Sequence, residues 1–232
     1  MIDTIRAGKF EIPVLYEDNH LLVVEKPSNI PVMEDESKDE DLLTILKQDI
    51  KVRYNKPGEV YLGLVHRLDR PVGGVMVFAK TSKAASRLSA QVSSHELFQK
   101  EYHAVVTGFP KQKDTLVDEL LKDHRTNTVK SVKKGTPNAK HAVLDYELVD
   151  SQNNLNLVKI NLKTGRSHQI RVQFSSRNMA LWGDQRYNKT AKTGQQIALW
   201  ATKLTLIHPT TKEVMTFTSS LPDRTPFTTF RR

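Results

Sequence analysis

The 232-residue chain contains no cysteine. That excludes disulfides, thiolate-bound zinc, iron–sulfur clusters and a cysteine nucleophile. Long apolar runs are missing too, and nothing approaches the ~18 consecutive apolar residues a membrane-spanning helix needs. Met1 to Phe10 carries Asp3, Arg6 and Lys9 with no apolar run behind it, so it does not read as a signal peptide. Glycine and proline are sparse, at 10 each, which rules out collagen-like and low-complexity classes. No Gly-x-Gly-x-x-Gly follows a strand pattern, and no Gly-Lys-Ser/Thr phosphate loop is present. Gly-x-Ser-x-Gly, the common serine-hydrolase pattern, is also absent. The eight histidines never fall at metal-ligand spacing with carboxylates. The expectation is a soluble, cytoplasmic protein that binds no membrane and holds no metal.

What is there is a globular composition with an excess of positive charge. Hydrophobic residues make up 38% and charged residues 26%. Lys plus Arg number 35 against 26 Asp plus Glu, a net charge of +9. A balance of this size attracts polyanions, chiefly nucleic acid. The charge is uneven: Lys122, Arg125, Lys130, Lys133, Lys134 and Lys140 share a short stretch with one acid, Asp123. Acids gather elsewhere, in Glu34-Asp35-Glu36 and Asp39-Glu40-Asp41. This asymmetry favours a polyanion-binding face over a uniform solvated coat. Lys130, Lys133 and Lys134 are assigned to nucleic-acid backbone contacts on electrostatics alone. No helix-turn-helix, basic zipper or finger pattern supports a DNA-binding module.

Val14–Tyr16 and Leu21–Val24, separated by Glu17-Asp18-Asn19-His20, read as a hairpin closed by polar turn formers. Leu42, Leu43, Ile45, Leu46 and Ile50 recur at helical spacing after an aspartate suited to capping, predicting a helix from Asp39 to about Ile50. Val75–Ala79 reads as a buried strand. Thr81-Ser82 offers an N-cap for a helix through Ala84, Ala85, Leu88 and Val92 toward His95. Tyr102–Val106 is another strand. Hairpins are predicted for Ala142–Val149 with Leu155–Leu162, and for Ala198–Ile207 with Glu213–Thr218. A helix is expected to start within Ser167–Ser176. Strands outnumber helices and join through short turns, which predicts an α+β fold: a mostly antiparallel mixed sheet with flanking helices. With no repeat and no long linker, a single domain over residues 1–232 is expected, acting as a monomer.

Two dense polar stretches interrupt this apolar pattern. In the first, His66-Arg67-Leu68-Asp69-Arg70-Pro71-Val72-Gly73-Gly74, an aspartate stands between two arginines ahead of a tight bend. Flanking cations favour an ionised carboxylate, as a nucleophile or electrostatic group requires; an ordinary loop salt bridge is the alternative. The second is Lys163-Thr164-Gly165-Arg166-Ser167-His168-Gln169-Ile170-Arg171. Its Gly165 permits a sharp strand-to-helix turn, after which two arginines face one region; a basic solvated helix start is the alternative.

Together the two stretches resemble the RluA-type pseudouridine synthases. The His66–Arg70 block with Gly74–Lys80 matches the family signature. Leu22-Val23-Val24-Glu25-Lys26-Pro27, Lys100-Glu101-Tyr102-His103-Ala104, the Thr164–Arg171 block and Gly183-Asp184-Gln185-Arg186-Tyr187 stand in the family's order. The resemblance covers about Phe10 to Ser220. One departure is Val72-Gly73, where relatives commonly have Thr-Ser. Another is that the Leu22–Pro27 block begins too early for the small N-terminal RNA-binding domain that many relatives carry, so no separate domain of that kind is expected.

The resemblance implies a pseudouridine-synthase fold and isomerisation of uridine in rRNA or tRNA, without metal or other cofactor. Asp69 is implied as the catalytic carboxylate and Arg171 as its ion-pair partner. Tyr102 is implied as the aromatic that stacks on the base and helps remove the final ring proton. Arg67 is implied to enter the RNA stack when the uridine flips out. Arg166 binds phosphate or caps its turn. A catalytically silent RNA-binding or RNA-folding protein on the same scaffold is the alternative reading.

Overall fold

After a short β1 (Thr4–Ala7), the first two apolar runs close as an antiparallel hairpin of β2 (Phe10–Glu17) and β3 (Leu21–Lys26). These elements come from a computed structural model, which describes residues 4–94 and 97–230. Asp18 shapes the turn, its Oδ1 accepting the His20 and Leu21 amides at 2.7 Å each. The predicted first helix is α1 (Leu42–Arg53), capped by Asp41, whose carboxylate accepts the Thr44 amide at 3.0 Å. That bond satisfies one of the amides left orphaned at a helix start. Leu42, Ile45, Leu46 and Ile50 form its buried face. Then follow β4 (Gly63–Leu64), β5 (Gly73–Ala79) and α2 (Ser82–Ser94). Thr81 Oγ1 caps α2 by accepting the Ala84 amide at 3.1 Å; the predicted end at His95 lies outside the described residues.

The remaining elements are β6 (Gln99–Val106), β7 (Lys113–Asp123), β8 (Thr128–Val132), β9 (Lys140–Gln152), β10 (Leu155–Leu162), α3 (Gln169–Ser175), β11 (Leu199–Ile207) and β12 (Val214–Thr218). A 3-10 turn, Phe227–Phe230, ends the described chain. The chain divides into two units. The first is Met1–Gln99 with Lys203–Ser219, and the second is Lys100–Thr202 with Ser220–Arg232. In the first unit the strand order is β1-β2-β3-β5-β11, with β12 on β11 and β4 on β5. In the second it is β11-β6-β10-β9-β7-β8. The pairings β1–β2, β2–β3, β3–β5, β6–β10, β9–β10, β7–β9, β7–β8 and β11–β12 are antiparallel. The fold is α+β, as expected.

Every residue of β5 is buried, which explains its unbroken apolar run: both faces of the strand are covered. Its Val75 and Val77 join Leu21, Val23, Leu88, Phe98, Leu204 and Phe217 in the core of the first unit. Two clusters are seen among the described residues of the second unit. Val105, Leu157, Ala198, Trp200 and Phe227 form one; Leu120, Val129, Ala142 and Val172 form the other.

The structure adds β1, β4, the β7–β8 hairpin and the 3-10 turn to the predicted elements. In the first polar stretch Gly74 takes a positive φ, 116°, and Val72 is buried, 2% exposed. At the turn into α3 the left-handed residue is His168, φ 51°, rather than Gly165, and the helix starts at Gln169.

Candidate active site

Asp69 lies on the tight turn that leads into β5. Leu68 anchors the turn in the core, 8% exposed, while Arg67 and Arg70 are exposed and Asp69 is partly exposed. The Val72 amide closes the turn on the Asp69 carbonyl at 2.9 Å. Beneath it sits Lys26, the last residue of β3 and fully buried. Its ammonium donates to the carbonyls of Pro27 and Arg70 at 3.0 Å each and of Val72 at 2.7 Å. Three carbonyls take the three N–H bonds of an ammonium, so the buried group is fully satisfied. Burial pulls the Lys26 pKa down to about 7, with the Asp69 charge opposing that shift and Arg70 adding to it.

The two arginines flanking Asp69 in sequence engage the segment before α1. Arg70 donates to Ser37 Oγ at 2.9 Å and pairs with Asp39, and the Arg67 guanidinium reaches Met33 Sδ at 4.0 Å. His66 Nε2 accepts the Val77 amide at 3.1 Å, and its ring meets Phe98 edge-on. That bond ties the polar stretch to β5.

Asp69 and Arg67 belong to the first unit; Tyr102, Arg166, Arg171 and the three lysines belong to the second. Tyr102 lies on β6 opposite Ile160 of β10 and is buried, 6% exposed. Lys100 shares its face of the strand, two residues earlier. Burial, and then the Arg166 charge, pull Lys100 down to about 8. A Cβ on Gly165 would stand 3.0 Å from Lys100 Nζ, the end of a flexible side chain. Gln169 shapes the turn: its Oε1 accepts the Thr164 hydroxyl at 2.8 Å and the Arg166 amide at 3.0 Å. Arg166 Nε donates to the His141 carbonyl at 2.9 Å.

Arg171 projects from α3 into the interior, 6% exposed. It makes a two-point bond with Asp184, Nε to Oδ2 at 2.8 Å and Nη2 to Oδ1 at 2.7 Å. Asp184 Oδ1 also accepts the Arg186 and Tyr187 amides, at 3.0 and 3.3 Å. Gly183 makes this bend possible: its φ is 72°, and an added Cβ would meet the Gln196 carbonyl oxygen at 2.6 Å. Sequence reasoning assigned no role to Asp184, Tyr187, Lys26 or Lys100. Each stands in a block that carries the family resemblance, which was the signal available.

Lys130, Lys133 and Lys134 are exposed. Lys130 lies on β8, and the other two follow that strand. The β7–β8 turn is held by Asp123, whose Oδ1 accepts the Arg125 amide at 2.8 Å, and by Arg186, which donates to the Asn127 carbonyl. Lys130 is therefore mounted on a hairpin, with Lys133 and Lys134 on the segment that follows it.

The comparison that decides the family covers both polar stretches. Residues 20–176 match the family model described as RNA pseudouridylate synthase. The chain belongs to that family. It is 32% identical over 222 residues to a ribosomal large subunit pseudouridine synthase D from Zymomonas mobilis, covering 91% of this chain and 69% of that protein. It is 33% identical to the uncharacterized RNA pseudouridine synthase YjbO of Bacillus subtilis, covering 95% of this chain and 76% of that one. A structure of human RNA pseudouridylate synthase domain containing 4 shares the fold, with a TM-score of 0.75 and 22% identity over 90% of this chain and 88% of the other. This pseudouridine synthase is an isomerase that acts on uridine in RNA. Among the described residues, no helix is long and apolar enough to cross a membrane.

Proposed function

We propose that this enzyme isomerises specific uridines of large-subunit rRNA, with Asp69 as the catalytic carboxylate and residues 1–232 serving as one catalytic domain. The observation that carries the reading is the Asp69 turn. A partly exposed carboxylate stands there on a backbone pinned by a fully buried ammonium, inside the segment matched to the family. The reaction is an isomerisation. The bond from C1′ to N1 breaks, the uracil turns, C5 bonds to C1′, and the C5 hydrogen leaves as a proton while N1 gains one. Atoms balance without a redox partner, and the reading assigns no metal or cofactor.

A stacked nucleotide cannot present its glycosidic bond to the carboxylate, so the uridine must leave the stack. Exposed Arg67 enters the vacated space. Tyr102 stacks on the base and assists loss of the C5 proton. Arg171 supplies the cation that keeps the catalytic carboxylate charged and oriented. Lys130, Lys133 and Lys134 neutralise backbone phosphates, with Arg166 as a further phosphate ligand. The enzyme acts as a monomer in the cytoplasm.

The name of the Zymomonas mobilis relative supports rRNA as the substrate; tRNA is the alternative. Mapping pseudouridine in total RNA from cells with and without this enzyme tests the assignment. A large-subunit rRNA site that reverts to uridine is expected. Unchanged rRNA together with a missing tRNA site would move the substrate to tRNA.

A further inference from the structure

We propose that Tyr187 is a positioning residue that seats Arg171 for the reaction and ties it to β8, the strand that carries Lys130. The proposal rests on the role given to Arg171 above.

The Arg171 guanidinium stands over the Tyr187 ring, 5.1 Å from its centroid, within the ~6 Å range of cation–π attraction. Asp184 grips the same guanidinium by two parallel hydrogen bonds. A two-point carboxylate fixes a guanidinium within its plane but leaves it free to tilt about the bond pair. An aromatic face against the flat side removes that freedom. Ring and carboxylate therefore restrain different motions of one cation, and both come from the bend after Gly183.

The ring is itself held firmly. It packs against Leu120, Val129, Ala142 and Val172. Its hydroxyl accepts the Val129 amide at 2.9 Å and shares a second hydrogen bond with His168 Nδ1 at 2.7 Å. Its carbonyl accepts the Ser175 hydroxyl at 2.8 Å. Burial raises the Tyr187 pKa, so the hydroxyl stays neutral at physiological pH. Val129 is the residue before Lys130 on β8, and strand alternation sends the two side chains to opposite faces. Val129 is buried and Lys130 exposed. The Val129 amide thus joins Tyr187 to the strand that carries Lys130. Tyr187 contacts the Arg171 guanidinium and is given no part in the bond changes above, so it acts through Arg171.

Three variants separate these contributions. Tyr187→Phe keeps the ring and loses the hydroxyl bonds. Tyr187→Leu removes the aromatic face, and Tyr187→Met does so with an unbranched side chain that fills the space differently, should Leu weaken the fold. The readouts are the single-turnover rate of tritium release from [5-3H]uridine-labelled RNA, RNA affinity, and the melting midpoint. The Leu or Met variant that stays folded at the assay temperature is expected to lose at least tenfold in rate, with affinity within twofold of wild type. The Phe variant should stay within about threefold in rate. In an Arg171→Lys background the loss of the ring should cost less than threefold further, because its action runs through Arg171. A folded Leu or Met variant at the wild-type rate overturns the inference. So does a full tenfold loss in the Arg171→Lys background, or a loss that lies wholly in affinity. If Arg171→Lys alone turns over at the wild-type rate, the role given to Arg171 fails, and this inference fails with it. If Arg171→Lys is slow but ring removal is silent, only the role of Tyr187 fails.

Discussion

Replacing Asp184 with Asn probes how much the fold depends on the Arg171–Asp184 pair. The two side chains are 7% and 1% exposed, and their shortest approach is 2.7 Å. At that depth both charges have lost most of their hydration, and the pair survives because each compensates the other. The amide keeps the shape of the carboxylate and an oxygen for the Arg186 amide, but it removes the charge and turns one acceptor into a donor facing the guanidinium. Removing one partner of a buried pair costs about 3–5 kcal/mol, and the isosteric replacement belongs at the lower end, about 3 kcal/mol. For a chain of this length that corresponds to a fall in melting midpoint of about 6–12 °C. The assay is thermal unfolding at pH 7, with urea unfolding to confirm that the slope with denaturant is unchanged. A variant melting within about 2 °C of wild type would refute the reasoning, since the pair would then add nothing that an amide cannot replace.

Two further predictions concern charge. Changing Lys130, Lys133 and Lys134 together to Ala should weaken RNA binding and flatten its dependence on salt, by about 0.7 in log–log slope for each single-strand phosphate that is no longer neutralised; an unchanged slope in a salt titration would mark the patch as solvated surface. Glu17 is opposed by burial but pulled below the ordinary carboxylate range by hydrogen bonds from Lys80, at 2.7 Å, and Arg53, at 2.9 Å. Its pairing therefore stabilises the fold above the unfolded value near ~4.3 and is lost as pH falls through the lower folded value. Glu17→Gln should be less stable than wild type at pH 7, with the gap closing in unfolding curves recorded at progressively more acidic pH; a gap independent of pH would contradict this.

The elements legible in the sequence were those whose local signals agree with their burial. The β2–β3, β9–β10 and β11–β12 hairpins each join apolar strands through polar turn formers, and α1 and α2 each carry a capping side chain before an apolar stripe. β7 was not legible. Leu116 and Leu120 are buried on one face of it, but Asp118 stands between them on that same face. Its carboxylate binds the Gln173 side chain, the Ser131 hydroxyl and Arg177, each at 2.8 Å. An acid at a core-facing position breaks the apolar alternation from which strands are read, and the partners that make it tolerable are far away in sequence.

The site divides in a similar way. Asp69 and Arg171 lie in dense polar runs inside apolar surroundings, and the family resemblance then gives each its role. Asp184 does not stand out, because Arg171, thirteen residues before it, is reached only through the left-handed bend at Gly183. Lys26 looked like a strand end before proline. Its burial beneath the Asp69 turn depends on bonds to residues 44 and 46 positions away, which no local pattern reports.

The central claim is that uridine isomerisation depends on the Asp69 carboxylate, and Asp69→Asn tests it most directly. The amide preserves the volume of the side chain and removes the charge. Purified variant and wild type are compared for tritium release from [5-3H]uridine-labelled RNA, with RNA binding measured on the same preparations. The expected result is no detectable turnover, with affinity reduced by less than about tenfold, or roughly 1.4 kcal/mol. Release of tritium by the variant at near the wild-type rate would contradict the account.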